Sequence, residues 1–304
     1  MSKVTKLIKD INEFVRKADG TNELEELLKD HPNKKKLITA IDDYETKIGK
    51  LLRNQQKEFT EALKLYTEGS STDDPVIGAI VEMVMEDIKE SDDFNIKMAS
   101  ASSEFLTSTV PDFTSAIMQA IDKDVSFNSL SPRTVEWIDE WSQDLGDLMK
   151  LSTHDNVQNT LRAGIQEGKS IVDIELELAE HPQFNRNRAR KTAITEVLTA
   201  NSVSQHEAYM QSPAVTGKTW LHSGPKAIDP RPAHVELSGT TIGLEEEFDV
   251  NGYSAKYPRD TNLPPSERVY CHCVLAPSVD EDILALSAEE KEIIRQQAMQ
   301  DMGV

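Results

Sequence analysis

The two cysteines of this 304-residue chain stand one residue apart, as Cys271-His272-Cys273. They fall in a stretch from Trp220 to Pro277 that also holds three of the seven histidines. A lone CxC pair cannot supply the disulfide framework of a small secreted domain, so these thiols have to be buried, reactive or metal-bound. The same stretch is polar, turn-rich and studded with aromatics: Asp229-Pro-Arg231-Pro-Ala-His234, Leu237-Ser-Gly239, Tyr257-Pro-Arg-Asp260 and Leu263-Pro264-Pro265. It follows a long region patterned as helix, and that change of character sets the fold class.

In the helix-patterned region, apolar residues recur at helical spacing. Val4, Leu7, Ile8, Ile11, Phe14 and Val15 form one stripe ending at Gly20. A short helix around Leu24, Leu27 and Leu28 stops at His31-Pro32, and a long one runs from Lys34 to Glu68. Gly69 to Pro75 reads as a turn, with Pro75 near the first position of an apolar helix, Val76 to Ile88. Ser131-Pro132 opens a helix through Leu148, and two shorter helices follow, divided at Gly168-Lys-Ser170 with Ser170 as an N-cap. Asn185 to Gln211 reads as one helix.

After Ser212-Pro213, Lys218–Leu221 and Arg268–Leu275 have the β-branched and aromatic content of strands. An acidic amphipathic tail then carries Ile283, Leu284, Leu286, Ile293 and Ile294 on its apolar face. The expected fold is α+β: a predominantly helical first two-thirds, a small β-rich, turn-rich module, and a terminal helix. The corresponding segments are 1–130, 131–212, 213–278 and 279–304, and the acidic tail is the last of them.

A net charge of −20 and a pI near 4.8 argue against a protein that coats nucleic acid, because phosphate binding needs clustered Lys and Arg. There is no apolar run of the roughly 20 residues that a membrane helix needs, so no membrane partner is expected. The amino terminus lacks a signal-peptide core, which points to an intracellular or intraparticle protein. Gly168-Lys-Ser170 lacks the upstream glycine of a phosphate loop, and there is no HExxH and no serine-nucleophile elbow. Trp137, Trp141 and Trp220 read as core aromatics.

If Arg268–Leu275 is a strand, residues two apart share a face, so both sulfurs converge and His272 turns away. Converging thiolates suit a structural Zn²⁺, with His234 as third ligand and His222, Asp229 or a water as fourth. The bland alternative makes the cysteines small buried hydrophobes and His234 a hydrogen-bonded loop residue. A third reading takes His234-Val-Glu236 with Cys271 and Cys273 as an echo of the zinc deaminases, with Glu236 as general acid/base. That would make the chain a metal-dependent nucleic-acid-modifying enzyme, deaminase- or hydrolase-like. The pattern departs from the deaminases in having one residue rather than two between the cysteines and no Pro before them.

The one dense basic cluster is Arg186, Arg188, Arg190 and Lys191, at the start of a helix. It fits contact with a DNA backbone or an acidic partner, but the favoured reading is a solvated first turn or pairing within an acidic protein.

Taken in order, the elements Ala-Ile-Thr195-Glu196, Lys-Thr-Trp220, Asp229-x-Arg231-x-x-His234, Leu-x-Gly239, Tyr-Pro258-x-Asp260, Pro264-Pro265-Ser-Glu267 and Cys-x-Cys-x-Leu275 resemble the phage Mu F-like head morphogenesis family, the minor capsid proteins of tailed bacteriophages. The resemblance covers about residues 130 to 277. Ile194 and His272 stand where the family commonly has Arg, which removes any contact those guanidiniums would make.

The resemblance implies a non-enzymatic minor head protein. It would bind the portal protein, enter the procapsid in a few copies and affect packaging, retention or ejection of DNA. It implies the scaffold or major capsid protein and phage DNA as further partners to test. Its location would be the host cytoplasm during assembly and then the interior of the procapsid and virion head. Thr195, Glu196, Trp220, Asp229, Arg231 and Gly239 would be structural motif residues.

Overall fold

A computed structural model describes residues 24–29, 31, 33–67, 77–169, 171–223 and 230–301. The Val4–Val15 stripe, the Gly69–Pro75 turn, Ser170 and Asp229 lie outside them. The fold is α+β. The helices are α1 (Lys34–Thr67), α2 (Ile77–Ser91), α3 (Phe94–Ile121), α4 (Pro132–Gln166), α5 (Ile171–Ala179) and α6 (Arg186–Gln211). Then come β1 (Val215–Leu221), α7 (Pro232–Glu236), β2 (Thr241–Gly243), β3 (Phe248–Val250), β4 (Tyr253–Ala255), α8 (Pro265–Arg268), β5 (Val274–Val279), α9 (Glu281–Leu284) and α10 (Ala288–Asp301).

The chain divides into two compact units that do not follow it in order. Among the described residues, one comprises those within 43–110 and 130–194, and the other those up to 42, within 111–129 and from Thr195 onward.

The first of these is a helical unit whose apolar faces meet. Phe59 and Leu63 of α1, Val84, Met85 and Ile88 of α2, Val157 and Leu161 of α4, Ile174 and Leu178 of α5, and Phe184 form one buried cluster. Helix α4 is longer than its sequence suggests. It runs unbroken past Leu148 to Gln166, because Thr153, Val157 and Leu161 continue the buried stripe. Ser131 caps it by accepting from Thr134 N, with Pro132 in the first turn, where its missing N–H costs nothing. At Gly146 a Cβ would collide with the Asn95 carbonyl of α3, so the close approach of these two helices requires glycine.

A polar cluster centred on Asp92 is buried in this unit. Asp92 Oδ1 accepts from Phe94 N (2.9 Å) at the start of α3, and Oδ2 accepts from Gln55 Nε2 (2.8 Å) and His154 Nε2 (2.7 Å). Burial works to raise the Asp92 pKa, but these bonds outweigh it and hold the carboxyl below its usual value.

The second unit holds the sheets. β1 is the central strand of an antiparallel β2-β1-β5 sheet, with Lys218 opposite Ile242 on one side and Pro277 on the other. β3 and β4 form a separate hairpin closed by Asn251-Gly252, both at positive φ (57° and 85°), as a type I′ turn demands. The carboxy-terminal half of α6 is buried although it has no apolar stripe. Thr195, Glu196, Thr199, Asn201, Ser202, Ser204, Gln205, His206 and Glu207 are all inside. Such a helix is stable only if its polar groups find partners, and Gln205 Nε2 (3.0 Å) and Tyr209 Oη (3.3 Å) both donate to the Leu275 carbonyl.

Two expectations fail in this unit. The first is the strand at Arg268–Leu275. Arg268 ends α8, Tyr270 takes a left-handed turn (φ 59°), and β5 begins only at Val274. The second is the amphipathic tail. It breaks at Ala285–Ser287, and in α10 the buried positions are Lys291 and Arg295, while Ile293 stays 69% exposed. Charge explains the inversion: Lys291 Nζ reaches Asp122 (2.9 Å) and Asp124 (3.0 Å), and Arg295 Nη2 donates to Gln211 Oε1 (3.4 Å).

Candidate metal centre

Two very short helices and one strand end build the site. β1 carries Trp220 into the interior, where it is fully buried, and ends just before His222. The chain returns to β1 through Gly239 N, which donates to the Trp220 carbonyl (2.8 Å), and Trp220 N donates to the Thr240 carbonyl (3.0 Å). Gly239 sits at φ 90°, which explains why this turn carries glycine.

Pro232 fixes the first turn of α7, and His234 falls on its buried side. Arg231, the N-cap of α7, donates to the Ser266 (2.5 Å) and Val269 (2.8 Å) carbonyls on either side of Glu267 and Arg268. That bracket brings α7 and α8 together. His234 Nε2 consequently meets Glu267 Oε2 at 3.0 Å, and Asn251 Nδ2 donates to Glu267 Oε1 (3.3 Å). Donation from Nε2 to the carboxylate leaves Nδ1 as the lone-pair nitrogen, the arrangement typical of a metal-binding histidine and its outer carboxylate.

His234 Nδ1 faces both sulfurs: Cys271 Sγ at 3.4 Å and Cys273 Sγ at 3.5 Å. Zn–N and Zn–S bonds of usual length at tetrahedral angles place N and S about 3.5 Å apart, so the donor spacing fits the ion. His222 Nδ1 lies 3.8 Å from Cys273 Sγ but outside the compact group formed by the other three. His234, Cys271 and Cys273 are all buried, and His222 is half-buried.

Cys271 is pushed well below the usual thiol range by its hydrogen bond with Cys273, with His234 and the Arg259 guanidinium adding to the effect against burial. The same hydrogen bond between the two free sulfurs, together with burial, pushes Cys273 up, so the first proton leaves the pair easily and the second is held.

The sulfurs converge as expected, but not because of a strand. The Cys271–Cys273 stretch keeps the alternation of extended chain with side chains as its partners. The Cys271 and Cys273 carbonyls accept from Arg259 Nη1 (2.8 Å each), and the His272 carbonyl meets His31 Nε2 (3.0 Å). The His272 ring turns away, edge-on to Tyr270 (4.7 Å), and burial and Arg259 lower its pKa to about 4. Thr195 Oγ1 accepts from Tyr270 N (3.1 Å), and Glu196 Oε1 accepts from Arg268 Nη2 (3.3 Å), so α6 holds the loop leading into the cysteines. Trp220 stands edge-on to His234, ring centres 5.5 Å apart. Glu236 is exposed, while His234, two residues earlier on the same short helix, is buried.

Sequence reasoning missed Glu267 and Arg259 as parts of the centre. Glu267 was available in the Pro264-Pro265-Ser-Glu motif. Nothing in the sequence around Arg259 marks it for complete burial.

The basic cluster lies elsewhere, in the helical unit. Arg186 Nε (2.6 Å) and Arg190 Nη1 (2.7 Å) share the carboxylate of Glu45. Arg188 donates to Thr153 Oγ1 (2.7 Å) and to the Gln183 (2.9 Å) and Met149 (3.0 Å) carbonyls, and burial lowers its pKa to about 10. Arg186 and Lys191 are the exposed members.

The arrangement is that of a small carboxy-terminal module organised around a buried His/Cys cluster and docked on a polar helix. Residues 155–276, which contain every side chain of that cluster, match the family described as Phage Mu protein F like protein. The chain is 43% identical to the uncharacterized protein YqbB of Bacillus subtilis over 99% of its own length and 100% of that protein's. It is also 30% identical to the NAD(+)–arginine ADP-ribosyltransferase EFV of Enterococcus faecalis, over 54% of this chain and 31% of that protein. No solved structure matches. This chain belongs to the phage Mu F-like family. Among the described residues no helix is long and apolar enough to cross a membrane.

Proposed function

We propose that the protein is a head morphogenesis protein of a tailed phage: a minor, non-enzymatic component that binds the portal, enters the procapsid in a few copies and acts on packaging, retention or ejection of DNA. The observation that carries this reading is the family match over 155–276, which takes in the whole His/Cys module. In the same reading His234, Cys271 and Cys273 hold a structural zinc ion, with His222 closing the fourth corner. The Nδ1–Sγ distances of 3.4 and 3.5 Å and the carboxylate behind His234 support it. Bound there, zinc would cross-link α7 to the loop before β5 and stabilise a module too thin in apolar core to rely on packing.

Quantitative mass spectrometry of procapsids and virions, with the portal as internal standard, tests the assembly role. The expected result is a few copies per particle, lost when the portal is deleted; absence from both particles rejects it. Elemental analysis of the purified chain tests the ion, with one zinc per chain expected.

The looser position of His222 favours one rival, a metal-dependent enzyme acting on nucleic acid through the open corner, with Glu236 as acid/base. Activity on single-stranded nucleic acid that disappears in Glu236→Gln, with fold and zinc content unchanged, would establish it. The outward placement of Glu236 weighs against it. The catalytic name of the Enterococcus protein belongs to a chain of which most lies outside the match.

A further inference from the structure

We propose that Arg259 is the positioning residue of the centre: its guanidinium, rather than the metal, sets the Cys271–Cys273 pair in ligand geometry. The proposal rests on the metal-centre reading for its consequence and on contacts within one compact unit for its argument.

An extended segment normally has its carbonyls satisfied by a neighbouring strand. Pairing of β5 with β1 starts only at Val274, opposite Leu221, so the cysteine segment lies beyond the ladder. Arg259 stands in for the missing strand. Its Nη1 donates to the Cys271 and Cys273 carbonyls, its Nη2 donates to Ser202 Oγ on α6 (2.5 Å), and Nη1 lies 3.9 Å from Cys271 Sγ. One planar fork therefore fixes the two carbonyls that alternate with the two sulfurs and ties them to a buried helix.

The chain around Arg259 is built to aim it. The residue sits at φ 66°, unusual for a side chain of this size. It is held there by a turn in which Asp260 Oδ2 accepts from Lys256 N (2.8 Å) and Oδ1 from Asn262 N (3.0 Å).

Burial points the same way. Arg259 is completely buried, and among the described residues its hydrogen bonds run to two carbonyls, a hydroxyl and a thiol. A cation buried this completely depends on the groups fixed around it, and the cysteine segment supplies two carbonyls and a sulfur. A lysine could keep the charge but not the geometry, because a single ammonium cannot span two carbonyls and a hydroxyl from fixed directions.

The test compares the full-length protein with Arg259→Lys and Ser202→Ala after removal of metal by a chelator. Two quantities are read: amide hydrogen exchange across residues 269–275, and Co²⁺ titration followed by the thiolate-to-cobalt absorption. Metal-stripped wild type should keep slow exchange in this segment. Arg259→Lys should lose that protection and bind Co²⁺ about 10- to 100-fold more weakly, with a diminished thiolate band. Ser202→Ala, which leaves the guanidinium in place, should shift both readouts in the same direction by less, and it decides the matter if Arg259→Lys does not fold.

Two results overturn the proposal: stripped wild type exchanging as fast as an unfolded peptide, or both variants binding Co²⁺ as tightly as wild type with an unchanged band. If wild type takes up no cobalt, the metal reading fails on its own. Exchange then still judges Arg259, with equal protection in variants and wild type counting against it.

Discussion

The helical unit and the His/Cys module bury comparable side chains by opposite means. In the helical unit the interior is Phe59, Leu63, Met85, Ile88, Val157 and their neighbours, and specificity comes from shape, as where Gly146 lets α4 approach α3. In the module the largest fully buried side chains include Trp220, Arg259 and Lys218, and Lys218 Nζ donates to the Leu244 carbonyl (2.8 Å) beside the Phe248 ring. Burial lowers the Lys218 pKa to about 8. The first interior tolerates any apolar side chain of suitable volume, whereas the second depends on each donor meeting its acceptor.

Truncation should separate the two most strongly. Phe59→Ala is expected to cost about 3–5 kcal/mol through the cavity it leaves and to leave metal content untouched. Trp220→Ala should cost a similar amount and also release metal, because its ring packs against His234. Equal metal content in the two variants, measured beside their denaturant midpoints, would erase the distinction.

On the proposed zinc reading, Cys273→Ser should abolish zinc uptake and lower stability by a few kcal/mol, since binding energy at such a site is folding energy. Elemental analysis and a melting curve check this, and an unchanged melt contradicts it.

A smaller effect is expected at Glu45, where replacement by Gln leaves Arg186 and Arg190 without a shared anion. Arg186 is half exposed but the Arg190–Glu45 pair is nearly buried, so the loss should be about 1–3 kcal/mol. The same substitution should raise any salt-dependent DNA affinity of the exposed Arg186, which titration against duplex DNA at two salt concentrations would reveal.

Asp92 is a buried carboxylate within the helical unit, and pH exposes its part. Its folded pKa is depressed, so its contribution is fully present above the unfolded carboxylate value of about 4 and is lost as pH falls below that. Melting temperatures of wild type and Asp92→Asn should therefore differ at pH 6 and converge toward pH 3. A constant gap would rule this out.

Smallest of all, Ile293→Ser should change stability by less than about 0.5 kcal/mol, since the apolar face of α10 is the outward one.

The same contrast decides what the sequence makes legible. Helices α1, α2 and α6 and the change of character after Pro213 are readable because apolar spacing or breaker residues mark them. His234 and the two cysteines stand out by residue type, and their convergence follows from alternation whether or not a strand partner exists. The full length of α4 was lost because Ser152, Thr153 and His154 interrupt the apolar stripe while two of them, Thr153 and His154, are buried. The hairpin at Asn251-Gly252 carries its turn signal in plain view, yet its three-residue strands are too short for periodicity to register. The inward face of α10 was misread because the rule that apolar groups go inside gives no weight to Asp122 and Asp124, far away in sequence. Arg259 and Glu267 act through partners that only the folded chain brings near.

Helix α6 meets the cysteine loop and β5 at Thr195, Glu196, Ser202, Gln205 and Tyr209, each through a hydrogen bond to residues between 259 and 275. These positions share a face only because the helix advances about 100° per residue. One residue inserted between Glu196 and Ser202 would swing the last three contacts out of reach together, while substitutions on the same helix would be felt one bond at a time. For this protein, then, the length of α6 is a stricter inheritance than its composition. Insertions that are viable should collect in the surface turns of the module and spare this stretch of helix.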